Sequence, residues 1–175
     1  SIPLGSNVNA SYAVSRNNQG RVTHQAGVSG SAWDDFRLTY GLTVDRSNED
    51  GSNGSANLTY KGRSGQVNLS RSQGQGYGQT NFSVAGGLVA HGEGVTLSQP
   101  LGETIALVRV PKASGVGIES QSGVSTDATG HAVVPNLTPY RNNRLALLTQ
   151  DLDDKVEVKH LSLIHISEPT RQAEI

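Results

Sequence analysis

Along residues 8–90, apolar and polar side chains alternate almost one for one, a period that belongs to strands and not to helices. In "VNASYAVSR", Val8, Ala10, Tyr12 and Val14 alternate with Asn9, Ser11, Ala13 and Ser15. In "FRLTYGLTVDR", Phe36, Leu38, Tyr40, Leu42 and Val44 alternate with Arg37, Thr39, Gly41, Thr43 and Asp45. "ANLTYKG", "QVNLS" and "TNFSVAGGLVA" carry the pattern on through Leu58, Val67, Leu69, Phe82, Val84 and Leu88. Each stretch predicts a strand with one apolar and one polar face. The connectors predict an alternation of their own: open and polar at 45–55 and 72–79, compact at 29–35 and 61–66. Long loops at one end and short turns at the other is the layout of outer-membrane barrels. A soluble sandwich usually carries more Ile, Leu and Phe on its inner face.

Composition supports a sheet protein with many turns. Hydrophobic residues make up 34% of the 175 and charged ones 17%, and Gly, Ser, Thr, Asn and Gln fill the difference. The net charge is -1 and the basic residues are scattered, so the footprint of a nucleic-acid binder is missing. Without Cys there is neither a disulfide framework nor a thiolate metal site. No stretch approaches the roughly 18 apolar residues of a membrane-crossing helix, a test to which alternating barrel strands are invisible. The chain opens in mid-pattern, at "SIPLGSNVNASYAV", and reads as a fragment.

After Pro100 the texture changes. "TIALVRV" (104–110), "HAVVP" (131–135), "RLALLT" (144–149) and "KVEVK" (155–159) predict a short-stranded β domain with its own core. Pro111, Pro135 and Pro139 interrupt any helix longer than a turn or two. The boundary falls near Ser98–Glu103. The expected division is barrel strands over 1–98, a truncated β-sandwich over 99–160, and a non-native tail over 161–175. The tail is set apart because "LSLIHISEPTR", residues 161–171, back-translates to a transposase sequencing adapter read in frame.

Several residue groups invite a chemical reading. His91-Gly92-Glu93 lacks the downstream Cys ligands of a zinc deaminase, and its glycines oppose a metalloprotease helix. It reads as a strand end at a membrane–water boundary. Asp151, Asp153 and Asp154 lack the glycine and the bidentate Glu of a Ca²⁺ loop and read as a solvated turn. "GQGYGQ" is not a dinucleotide fingerprint, and no G-x-S-x-G elbow occurs. In "STDATGHAVVP", Asp127 can bond its own backbone and Gly130 can adopt a positive φ, which predicts a turn.

The stretch from Val84 to Val158 resembles the outer-membrane ushers of chaperone–usher pilus assembly. The likeness rests on Ala90-His91, Gly94-Val95-Thr96-Leu97 and Gln99-Pro100-Leu101. It continues through Gly123, Thr126-Asp127, Gly130, Ala132, Pro135, Tyr140, Arg141, Asn143 and Arg144. "WDDFRLTYGLTVD" and "ANLTYKGRSGQVNLS" look like late strands of the usher barrel. The resemblance implies an all-β chain: terminal antiparallel strands of a large transmembrane barrel, then a partial β-sandwich in the periplasm. It implies partners too, namely periplasmic chaperone–pilus subunit complexes and outer-membrane lipid, with no nucleic acid, no cofactor and no catalytic residue. Asp127, Tyr140, Arg141 and Arg144 become candidates for partner contact. On the barrel strands, Leu38, Leu42 and Leu58 are expected to face lipid, with Thr43 and Thr59 toward the lumen.

Two functions from different classes follow. One is a module of a protein-translocating pore in the outer membrane. The other is a soluble β-sandwich adhesin or carbohydrate-binding module, which needs exposed aromatics grouped on one loop or face.

Overall fold

The computed structural model describes residues 1–148, apart from 19, 34, 50, 112, 120 and 142, together with the backbone of residues 162–167. Among these residues there is no helix. The chain divides into two compact units, Ser1–Lys61 with Val67–Val84, and Gly62–Gln66 with Ala85 onward.

The first unit is built on one seven-stranded sheet. Its strands are β1 (Ile2–Pro3), β2 (Val8–Arg16), β3 (Val22–Ala32), β4 (Leu38–Ser47), β5 (Gly51–Gly62), β6 (Gly65–Gly74) and β7 (Tyr77–Ala85), each hydrogen-bonded to its chain neighbour. The register fixes which residues share a face, because residues directly opposite in an antiparallel pair point the same way. Leu42 lies between Val28 on β3 and Ala56 on β5, and Thr43 lies between Gly27 and Ser55. The sheet is open, with β1 and β7 at its two ends.

The alternation located β2 and β4 almost to the residue, but three expectations change. Residues 22–32, which had drawn no strand assignment, form β3. The stretches 45–55 and 72–79 are not open loops. Strand β4 runs to Ser47 and β5 starts at Gly51, while β6 runs to Gly74 and β7 starts at Tyr77. Polar residues there continue the ladder beyond the apolar part of each strand, so the expected contrast between long and short connectors is lost. The run 80–90 is broken at Gly86. A Cβ at that position would stand 3.0 Å from the Ser64 carbonyl oxygen and 3.2 Å from that of Ser98.

The second unit holds a two-stranded hairpin of β8 (Gly87–His91) and β9 (Gly94–Ser98). Beside it, β10 (Thr104–Arg109) runs between β11 (His131–Val134) and β12 (Ser162–Ser167) in a three-stranded sheet. The dense apolar run of β10 is explained by burial on both faces. Ala106 and Val108 enter a core with Val116, Ile118, Val124 and Val134, while Ile105 and Leu107 meet Val89 and Val133. Val108 is wholly buried, and so is Val134. Burying side chains of this size contributes about 1.5–3 kcal/mol each. The result is a layered β unit that takes in the hairpin of residues 87–98, ahead of the boundary expected near Ser98–Glu103. Of "RLALLT", Leu147 bridges Ile118, and Leu145 and Leu147 line the core. "KVEVK" and the three aspartates 151, 153 and 154 lie outside the described residues.

Candidate functional site

Two features concentrate polar chemistry, each within one unit. The first is the two-sided character of the seven-stranded sheet. On one face Tyr12 stands opposite Ala26, and Ala26 opposite Val44; Tyr40 stands opposite Leu58, and Leu38 opposite Tyr60. Leu42, Val44, Leu58, Leu69, Phe82 and Val84 are exposed there, Leu42 to 53%. Leu38 shares the face but is partly covered. The opposite face is polar: Thr39 pairs with Thr59, Thr43 with Ser55, and Gly41 with Asn57. Side chains link its strands. The Thr59 hydroxyl donates to Asn68 Oδ1 at 3.0 Å, and Asn68 Nδ2 donates to Ser83 Oγ at 3.2 Å. One face can rest against hydrocarbon; the other offers hydroxyls and amides to water.

The second feature is a polar cluster in the second unit, centred on Asp127. Its Oδ1 accepts from the Thr129 backbone N–H at 2.8 Å, the Thr129 hydroxyl at 2.6 Å and the His131 N–H at 3.0 Å. Its Oδ2 accepts from the Thr96 hydroxyl at 3.0 Å. Since both hydroxyl protons go to Asp127, the two histidines donate to the hydroxyl oxygens behind them. His91 Nε2 is 3.0 Å from Thr96 Oγ1, and His131 Nδ1 is 2.9 Å from Thr129 Oγ1. The two imidazoles lie 4.4 Å apart, centroid to centroid. Glu93 closes the group, 3.0 Å from Arg109 and 3.4 Å from His131 Nε2.

This cluster revises the reading of His91 and Glu93. His91 does end a strand, β8, but Gly92 and Glu93 turn the chain straight into β9, and both side chains are engaged. They help fasten the hairpin to the turn at 127–131. The turn itself follows the sequence: Asp127 bonds its own backbone, and Gly130 adopts φ 82°. Thr96 and Thr129 carry the two relays; Thr96 entered the sequence reading only through the family likeness, because its partner Asp127 lies 31 positions along the chain. Among the described residues, no group of three or more His, Cys, Asp or Glu is arranged to hold a metal ion.

Burial alone would raise the Asp127 pKa, but the four accepted hydrogen bonds outweigh it and hold the group at about 2. A depressed carboxylate contributes stability that is present above its unfolded value, about 3.9, and lost as pH falls through its folded value. Stability of the second unit is therefore expected to decline between about pH 4 and pH 2 through this residue. A ¹³C carboxyl titration of Asp127 in the folded protein checks it. An ordinary midpoint near 4 would mean that the hydrogen bonds do not persist in solution.

The remaining candidates sit on one loop. Tyr140 has φ 57° and is 98% exposed. Arg141 and Arg144 are exposed beside it. Asn143 braces the loop, accepting from the Thr138 N–H at 3.1 Å and donating to the carbonyls of Thr138 and Arg141. A braced loop with an aromatic and two guanidinium groups outward is suited to protein contact. Asp127 is not on this loop, and its oxygens are occupied.

Comparison with known proteins gives a consistent result. The family described as "Outer membrane usher protein" matches residues 1–172. The outer membrane usher protein LpfC of Salmonella typhimurium is 40% identical over 174 residues, which cover 99% of this chain and 20% of that protein. The probable outer membrane usher protein LpfC' of Escherichia coli O157:H7 is 44% identical over 161 residues, 91% of this chain and 33% of its own. FimD of Escherichia coli K12, also an outer membrane usher protein, is 42% identical over 153 residues, 85% of this chain and 17% of its own. The chain thus spans between a sixth and a third of the length of these relatives.

Proposed function

Because the chain belongs to the outer membrane usher family, we propose that residues 1–85, rather than the expected 1–98, supply late strands of a transmembrane β-barrel through which chaperone-delivered pilus subunits are exported and assembled. The observation that carries the proposal is the two-faced sheet. A strand in a bilayer must satisfy every backbone group by pairing and turn apolar side chains outward; strands β3–β6, inside the two edges of this sheet, are paired on both sides, and the sheet exposes an apolar face. Leu38, Leu42 and Leu58 face lipid in this reading, and Thr43 and Thr59 line a wet lumen. The family's place is the bacterial outer membrane.

Residues 87–160, the β8–β9 hairpin included, act as a periplasmic β-sandwich domain that meets chaperone–subunit complexes. Tyr140, Arg141 and Arg144 make the contact, and Asp127 contributes by fixing the neighbouring turn rather than by presenting a free carboxylate. Subunits can then join by strand addition, a step driven by main-chain hydrogen bonds and needing no nucleotide. No catalytic role, cofactor or nucleic-acid partner enters the scheme. The adhesin or carbohydrate-binding alternative has lost its footing, since the matched relatives named above are all ushers.

Residues 161–175 are in this reading a translated sequencing adapter. Pairing of Ser162–Ser167 with β10 does not require a native sequence, since an unpaired strand edge accepts almost any extended segment. Adapter-free DNA is expected to continue from about Lys159 in a different sequence; the same codons there would overturn this assignment. For the pore itself, the full-length protein carrying these strands should stay in the membrane pellet through a high-salt wash and leave it with detergent. Release by salt alone would sink the barrel reading.

A further inference from the structure

We propose that Arg16, His24, Arg46 and Arg71 form a cationic rim on the lipid-facing side of the sheet that binds the phosphorylated headgroup of an anionic glycolipid. This rests on the membrane-spanning reading above. The register places the rim. His24 stands opposite both Val14 and Arg46, and Arg16 stands opposite Val22, so all three side chains share the face of Tyr12, Leu42 and Val44. On β6, Asn68 bonds Thr59 and Ser83 on the polar face, so Leu69 and Arg71 point to the apolar one. The four residues lie at one end of the sheet, where β2 turns to β3, β4 to β5 and β6 to β7. Each Arg follows directly on an apolar residue of its own face: Val14, Val44 and Leu69.

Among the described residues, positive charge is left over at this rim. All four side chains are exposed. Among the described residues, Arg71 contacts neutral oxygens, those of Thr80 and Gln73, each at 3.4 Å. Among the described residues, no carboxylate pairs with Arg16, Arg46 or Arg71. Asp45 points to the opposite face, and Glu49 is bound to Arg21 at 2.9 Å. The other end of the sheet is built differently. There Trp33 meets Tyr60 edge-on at 6.5 Å, and Arg37 is neutralised by Asp35 and lies over the Trp33 ring. An aromatic rim with a paired cation suits a neutral interface, whereas unpaired guanidinium groups need an anion, and phosphate fits their fork.

The rim stands immediately beyond hydrocarbon-facing residues, so its partner must carry phosphate directly above acyl chains. Tyr12 bridges the two zones, its ring among the apolar residues and its hydroxyl 2.7 Å from His24 Nδ1. Strand β7 runs toward the aromatic end, and the chain continues from there into the second unit. With that unit periplasmic, the cationic rim faces the outer leaflet. A recess bordered by His24, Arg46, Asn48, Gln75 and the Arg21-paired Glu49 gives room for a sugar.

The test uses the full-length protein in phosphatidylcholine vesicles, with bis-phosphorylated lipid A as the probe and native mass spectrometry to count retained lipid. Arg16→Gln, Arg46→Gln and Arg71→Gln together should weaken retention at least about tenfold, and the three Arg→Lys changes far less. Dephosphorylated lipid A on the unaltered protein should show a similar loss, which keeps the test decisive if the triple variant fails to insert. Retention unaffected by either the Gln changes or dephosphorylation overturns the proposal. Equal displacement by inorganic phosphate and by lipid A would also overturn it, as a free-phosphate site. Failure of the barrel reading shows separately: the Leu42→Cys protein would then react with a water-soluble thiol reagent in vesicles that contain no lipid A.

Discussion

Leu42→Arg in the full-length protein is expected to lower the amount of folded, heat-modifiable barrel in the outer membrane severalfold, and Leu58→Arg to do the same. Both leucines are exposed on the apolar face, near the middle of their strands. An arginine at a lipid-facing site near the midplane costs about 2–4 kcal/mol, a large fraction of the few kcal/mol that separate folded from unfolded. Thr43→Arg and Thr59→Arg introduce the same charge one residue away, on the polar face, and should leave the barrel level unchanged. A one-residue change of register would exchange these outcomes, because it turns every side chain over. A soluble sandwich would also suffer from arginine at the leucine positions, so lipid contact needs its own readout. Leu42→Cys should be shielded from a water-soluble thiol reagent and reached by a lipid-soluble quencher, and Thr43→Cys should behave in the opposite way. Equal access at both sites would remove the barrel assignment.

Gly130→Ala is expected to destabilise the second unit by roughly 2–4 kcal/mol, from backbone strain and collision together. Gly130 has φ 82°, and a Cβ there would run into the Val110 carbonyl oxygen. It cannot move away freely, because the Val110 N–H donates to the Gly130 carbonyl at 2.8 Å and Val110 is buried. Gly115→Ala is the control. Its φ of 79° is similarly strained for alanine, but no atom lies within 4 Å of the added Cβ. That change should cost only about 1 kcal/mol. Limited proteolysis of the membrane-embedded protein reads the difference, with cleavage of the second unit rising much more in the first variant. Equal sensitivity in the two would show that the collision is relieved by movement of the 110–113 segment.

What the sequence disclosed was governed by side-chain contrast. Strands β2 and β4 alternate large apolar residues with small polar ones and were legible at once. Strand β3 was not, because its apolar face is made of Ala26, Val28, Gly30 and Ala32, which differ little from the Ser and Gly between them. The structure gives one reason for that smallness: a Cβ on Gly30 would stand 2.9 Å from the Tyr40 hydroxyl oxygen, so the ring of β4 occupies the space. The break at Gly86 was hidden because 80–90 keeps the same alternation on both sides of it. The Asp127 turn could be read from adjacent residues. The relays reaching it from His91 and His131 could not be read as a pair, since Thr96 and Asp127 are 31 positions apart and only the fold brings them together. Tyr140 was reached through family likeness, and its left-handed backbone would have been hard to foresee in an aromatic residue.

In the first sheet every strand is bonded to the strand before or after it in the chain, across connections of no more than six residues. That order has a kinetic consequence. Loop-closure entropy grows with the length of chain between partners, so each of these pairings is among the quickest a polypeptide can make. A barrel wall of this kind can grow by accretion, each new hairpin templated on the edge of the last, with its unpaired backbone groups exposed only briefly to the membrane interior. Residues 8–85 would thus set their register locally, before any distant seam is joined, and a substitution on one hairpin should delay the strands that follow it more than those that precede it.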